Sequence, residues 1–267
     1  MALIKSSCVK DNLIAGLQRR LTHDDLDESC YTYRGLPLED IFLMDENEYK
    51  HHLPLLKAIL EGFNATNQFA IIRPHQHIPV QPGSHMVWNS GKHKQLRYYY
   101  GKTATNRGTH LDQLCGRKFV VVGGKLLPVE YCLSPLPDLR EVGLALYDTF
   151  TDYVSKHHLE SIFGLEYIIT GLSKKKWAEH VFPDYGYMIL VDLPLPSSDE
   201  AEEVVTGWSW RSETEALSGE THVCVKPLNT AKHERRPILR KGTTPSIDDV
   251  VCALMNCGAH DGGEGTL

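Results

Sequence analysis

Apolar positions in the first third of the chain recur at helical intervals. Leu13, Ile14, Leu17 and Leu21 fall on one side, with Lys10 and Asp11 on the other, and Leu53, Leu56, Ile59, Leu60 and Phe63 repeat the pattern. The spacing predicts a helix around residues 13–21 and a second from about His52 to Phe63. Pro54 is accommodated in the first turn of the second helix, and Gly62 and Asn64 mark its end. The acidic, polar stretch from Thr22 to Pro37 reads as the loop between them.

The period then shortens to that of strands. Gln68 to Arg73 is a short apolar run punctuated downstream by Pro74, Pro79 and Pro82. His85 to Trp88 and Gln95 to Tyr100 are strand candidates, with Asn89, Ser90 and Gly91 as a turn between them. Lys118 to Val122 and Lys125 to Tyr131, joined by Gly123 and Gly124, predict a hairpin whose turn needs positive φ. Its consecutive valines predict a central strand covered on both faces. A long helix is predicted from Leu139 to Phe163, its stripe formed by Leu139, Val142, Leu146, Phe150, Tyr153 and Val154. Strands at Gly164–Thr170 and Gly186–Leu193 follow, around a short helix at Lys174–His180. Val204–Trp210 and Thr221–Val225 form a further strand pair, and a last short helix runs from Ile247 to Asn256. This order predicts an α+β fold with a mixed or mainly antiparallel sheet, N-terminal helices and one long central helix. Residues 1–240 read as one domain, and 241–267 as a mostly flexible tail.

Composition leaves that picture intact. Of the 267 residues, 42% are hydrophobic and 23% charged, the balance of a globular protein that can bury a core. No apolar run approaches the roughly 18 residues of a membrane span, and the N-terminal residues lack a secretory signal's apolar core. The expectation is a cytoplasmic protein with no membrane partner. Seven scattered cysteines, none in a C-x-x-C pair, argue against a disulfide framework or zinc knuckle and read as small buried hydrophobes.

Charge distribution changes the picture more. The net charge is −6, yet residues 68–128 hold nine basic residues against one acid, Asp112. A second basic stretch, 222–241, faces an acidic block at 199–220. Such asymmetry fits an anion-binding face, and equally fits two surfaces that neutralise each other.

Five of the fourteen histidines lie within residues 75–110: His75, His77, His85, His93 and His110. His75 and His77 sit two apart, so on a strand both imidazoles share a face and could ligate one zinc or iron ion. His85 and Asp112 are the candidates to complete that metal set. The Pro82 to Asn89 run falls two residues short of a cupin metal motif, and no family is assigned on it. Without a metal, His75, His77 and His110 are candidate acid–base groups, and Arg73, Arg97, Lys102 and Arg107 candidate anion-binding groups. Thr103 to Thr109 is a hydroxyl-rich loop beside them. Cys115, in a basic neighbourhood, is the best thiolate candidate. His157, His158, Glu166 and His180 mark an alternative site. G-x-S-x-G, Walker A and G-x-G-x-x-G are all absent.

Two functions of different class follow. The first is an enzyme, a metal-dependent hydrolase or oxygenase among the possibilities, acting on a nucleotide-like or carboxylate-bearing anionic small molecule through the His-rich basic site. The alternative is a noncatalytic RNA- or partner-binding protein that uses basic segments 92–125 and 226–241. Self-association through the opposed charge blocks is a third.

Overall fold

A computed structural model of the chain describes residues 13–38, 49–93, 96–137, 139, 145–168, 177–182, 187–191, 201–210 and 220–227. Helix α1 spans His23–Gly35, α2 Leu53–Gly62 and α3 Ala145–Lys156. The strands are β1 Phe69–Ile72, β2 Ser84–His93, β3 Leu96–Thr105, β4 Leu114–Val122, β5 Lys125–Leu133, β6 Gly164–Tyr167, β7 Trp177–Phe182, β8 Tyr187–Val191, β9 Ala201–Trp208 and β10 Glu220–Pro227. The fold is α+β. Its sheet closes into a barrel in the order β1-β6-β4-β5-β2-β3-β8-β7-β10-β9, with β9 paired back to β1. The sheet is mixed, because β2 runs parallel to β5 and β7 to β10 while the other neighbours are antiparallel. No helix among the described residues is long and apolar enough to cross a membrane.

Alternation along β4 and β5 separates the two faces of the wall. Phe119, Val121 and Leu126 pack with Leu56 and Leu60 of α2 and Leu146, Phe150 and Val154 of α3, so this is the outer, helix-covered face. Val120 packs on the other side with Met86, Trp88 and Met188, which face the barrel interior. A third cluster joins Leu26 of α1 to Val87, Leu114 and Tyr131 on the outside of β2, β4 and β5. Further along α1, Cys30 and Tyr33 join the interior cluster with Ile78 and Val80 of the β1–β2 connection. Helix α1 therefore bridges the outer face and the interior cluster, at a mouth of the barrel.

Several local expectations hold. The β4–β5 hairpin turns at Gly123 and Gly124 with φ of +56° and +75°. Helix α2 carries its proline in the first turn. Strands β9 and β10 pair antiparallel.

Others are corrected. Thr22 to Pro37 is no loop. Thr22 caps α1 through a reciprocal box with Asp25, whose carboxylate also takes Arg19 in two hydrogen bonds of 2.7 and 2.6 Å. Leu26, Ser29, Cys30 and Tyr33 then supply the buried stripe. Residues 14–19 instead form a tight turn, with Gly16 at φ +69°. Asn89, Ser90 and Gly91 lie within β2, opposite Tyr100, Tyr99 and Tyr98. Gly91 is needed because a side chain there would strike the Tyr98 ring. Trp177 to His180 is strand, paired with β8, where the sequence predicts a helix. The central helix, expected to reach Phe163, ends at Lys156, and residues 157–163 follow without helix. Arg140 to Leu144, the Ile247–Asn256 helix and the proposed tail lie outside the described residues.

Gly164 sits where β6 passes between β1 and β4, and an added Cβ would collide with the Phe119 carbonyl. Backbone cannot yield there as a side chain would. Gly164→Ala should therefore lower stability in urea by about 1–3 kcal/mol. Gly62→Ala, at an open helix end, should change it by less than about 1 kcal/mol.

Candidate functional site

The site begins with a break in strand periodicity. Between β4 and β5 the register shifts on either side of Lys118, which pairs with Glu130. Gly116, Phe119 and Pro128 lie on one side, since a Cβ on Gly116 would meet both of the others, and Tyr131 packs in the outer cluster. Two consecutive residues on each strand, Arg117 with Lys118 and Val129 with Glu130, thus turn inward together. Opposed bulges of this kind re-aim side chains without losing register downstream. They place three charges in an interior lined largely by apolar residues.

Those charges are satisfied by specific partners. Lys118 Nζ lies 3.3 Å from Glu130 Oε2, and the two side chains are 6% and 1% exposed. Trp88 donates its indole N–H to the same carboxylate at 2.5 Å. Arg117 donates from Nε and Nη2 to Glu166 Oε1 at 2.9 and 2.7 Å, and stacks its guanidinium 3.8 Å from the centre of the Trp88 ring. Arg117 Nη1, in contrast, is buried and has no hydrogen-bond partner among the described residues.

Histidines extend the row. Lys118 Nζ is 3.0 Å from His77 Nε2, His77 Nδ1 is 3.1 Å from His75 Nε2, and His75 Nδ1 is 2.8 Å from the Arg73 carbonyl. A carbonyl only accepts and an ammonium only donates, so the direction is determined from both ends. His75 carries its proton on Nδ1 and so does His77, and each accepts on Nε2. The row is one continuous donor chain, from Lys118 through His77 and His75 to Arg73. Both imidazoles are neutral in it, because protonating either would set two donors against each other.

The β1–β2 connection that carries these histidines is anchored by the residue between them. Gln76 donates from Nε2 to the carbonyls of Arg34 and Leu36 at 3.0 and 2.6 Å, and its backbone N–H reaches the Pro37 carbonyl. The His77 N–H donates to the Tyr33 hydroxyl at 3.3 Å. The end of α1 therefore positions His75 and His77.

Of the residues singled out in the sequence, the structure brings Arg73, His75 and His77 together, and it places Lys102, Arg107, His110, Asp112 and His85 away from them. Arg73 is buried and donates to the Tyr49 hydroxyl at 3.0 Å. Lys102 and Arg107 are exposed, as are His110 and Asp112 on the turn before β4. Arg97 lies on β3, opposite Lys92. His85 alternates with Met86 onto the outer face, edge-on to Tyr131, and bonds Asn106 at 2.8 Å. Asn106 in turn donates to Asp27 of α1. The expected metal set of His75, His77, His85 and Asp112 does not assemble. Among the described residues no group of three or more His, Cys, Asp or Glu side chains could hold an ion, and the facing nitrogens of His75 and His77 are engaged with each other. In the alternative site Glu166 is the partner of Arg117, His157 and His158 are exposed, and His180 is a β7 residue.

Arg117, Lys118, Glu130 and Trp88 were not singled out as site residues. The available signal was ionisable residues inside runs that otherwise read as buried strand.

Two predictions follow from these geometries. Lys118→Met leaves the Glu130 carboxylate buried without its cation and should cost about 3–5 kcal/mol in urea unfolding, whereas Lys118→Met with Glu130→Met should cost clearly less than the two single changes added. His85 is held below the ordinary 6.5 by burial, partly offset by Asn106, and His52 by burial with His51 and His157. The unfolded chain therefore binds these protons first. The stability that these two histidines contribute is full above about pH 6.5 and is lost as the pH drops below it. His85→Gln should flatten that slope in unfolding curves taken between about pH 7 and pH 5.

The chain matches no protein family model, no curated protein and no solved structure, so its function is read from this row of buried groups.

Proposed function

We propose that the protein is an enzyme that binds a carboxylate-bearing small molecule in the barrel interior and moves a proton on it. One observation carries the reading: the donor row from Lys118 to Arg73 runs through the buried interior beside Arg117, whose Nη1 has no partner among the described residues. Buried ionisable groups are costly to keep and concentrate where chemistry needs them. An arginine N–H left open in such a place fits an anionic acceptor.

The roles follow from position. Arg117, fixed by Glu166 and by the Trp88 face, holds the carboxylate through Nη1. Lys118 faces the same interior and exchanges a proton with the bound molecule. Glu130, itself held by Trp88, keeps the ammonium in place, and His77, oriented through His75 by the Arg73 carbonyl, accepts one of its N–H groups. The apolar residues around them, Met86, Val120, Val129 and Met188, exclude water.

The RNA-binding alternative is weakened by the same geometry. Arg117 and Lys118, two of the cations in segment 92–125, face inward and pair with Glu166 and Glu130.

The test is thermal unfolding of the purified chain against a panel of mono- and dicarboxylates, nucleotides and short RNA. At least one carboxylate should raise the melting temperature. Arg117→Lys keeps a cation for Glu166 but loses the planar donor, and should bind that compound about 10- to 100-fold more weakly, the loss of one charge-assisted hydrogen bond. Lys118→Met should bind it and lower turnover by about 10²- to 10⁴-fold. No stabilisation by any carboxylate, or equal stabilisation of Arg117→Lys, contradicts the reading. Salt-steep RNA binding without a carboxylate effect favours the alternative.

A further inference from the structure

Three cysteines are described with their side chains, and all three are free and buried. Two of them, Cys115 and Cys132, are direct register partners on the antiparallel strands β4 and β5. Partners of this kind have Cα atoms about 4.5–5.5 Å apart. A disulfide needs about 4.4–6.8 Å, so this register permits one without moving the backbone. Both side chains belong to the interior cluster with Trp88 and Met86. Cys132 Sγ leans over its partner strand and donates to the Cys115 carbonyl at 3.8 Å.

The two thiols are not equivalent. The Cys115 thiol, burial and the Arg117 guanidinium act on Cys132, and its ionisation is held below the ordinary range because the first and last outweigh burial. Cys115 is pushed the other way by Cys132 and by burial. Arg117, which turns inward at the bulge, favours ionisation of Cys132, against burial and the Glu166 carboxylate.

We propose that Cys115 and Cys132 are a redox-active dithiol that closes to a cross-strand disulfide when the protein meets a peroxide. Cys132, on losing its proton, attacks one oxygen of hydrogen peroxide. The O–O bond breaks, sulfur becomes sulfenic acid, and the departing hydroxide takes a proton to become water. Cys115 Sγ then attacks the Cys132 sulfur. The S–O bond breaks, and hydroxide leaves with the Cys115 proton as a second water. Two thiols are oxidised and one peroxide is reduced to two waters. An oxidant the size of water suits this interior, where a bulky alkylating reagent does not. The new bond would lie two residues from Arg117, at the base of the bulge that aims Arg117 and Lys118 inward. This inference does not depend on the ligand reading.

The test uses the full chain, reduced and then treated with hydrogen peroxide while folded, as monitored by far-UV circular dichroism. After alkylation in urea, peptide mass spectrometry should find a Cys115–Cys132 cross-link, short of two hydrogens, and both thiols lost to alkylation. In Cys115→Ser, dimedone added together with urea after the peroxide should label Cys132. In Cys132→Ser, Cys115 should stay reduced. No cross-link in folded protein, a cross-link only after unfolding, a disulfide to another cysteine instead, or sulfenic acid on Cys115 overturns the proposal.

Discussion

Lys118 and Glu130 face each other across β4 and β5 with their charges 3.3 Å apart, inside a barrel where the Arg117–Glu166 pair lies beside them and most other neighbours are apolar. Neither charge can stay in such a place alone, since removing either ion from water costs several kcal/mol before any pairing. The surrounding architecture follows from that constraint. Trp88 gives Glu130 a second donor, and His77 gives Lys118 a second acceptor. His77 can do so only because Gln76 ties the β1–β2 connection to the end of α1, and α1 can end there only because Thr22 and Asp25 start it. A helix cap at the surface and an ion pair in the interior are thus steps of one chain of dependence.

The paired bulges are the device that makes this possible. A regular hairpin would turn every second residue outward, and Arg117 and Lys118 could not both face the interior. Doubling the inward residues on each strand places a stacked arginine and a hydrogen-bonded lysine side by side, with the thiols of Cys115 and Cys132 adjacent. The anion binding, proton exchange and thiol oxidation proposed above would all fall within a few residues of β4.

The same device limits what could be read from sequence. The β4–β5 hairpin was legible from its valines and its Gly-Gly turn, α2 from its 3.6-residue stripe, and the α+β class from the order of elements. The contact between His75 and His77 was legible from their spacing. Helix α1 was missed because its stripe has few apolar residues, although its Thr22–Asp25 capping box was visible. Asn89, Ser90 and Gly91 read as a turn, yet the close approach of Tyr98 explains the glycine within a strand. The metal set failed because strand alternation sends His85 outward, away from the face of Trp88 and Glu130. Arg117, Lys118 and Glu130 stayed hidden because a two-residue period cannot signal its own interruption. Counting Arg117 and Lys118 as surface charge then made segment 92–125 look more like an anion-binding face than it is.

The direction of the hydrogen bonds from Lys118 to Arg73 is the claim on which the account most depends. Long-range ¹H–¹⁵N correlation spectra of protein labelled in its histidine side chains report which ring nitrogen carries the proton. The account predicts that His75 and His77 are both neutral, each protonated on Nδ1 and each accepting on Nε2. A proton on Nε2 of either ring, or a doubly protonated imidazolium at either position, would contradict it.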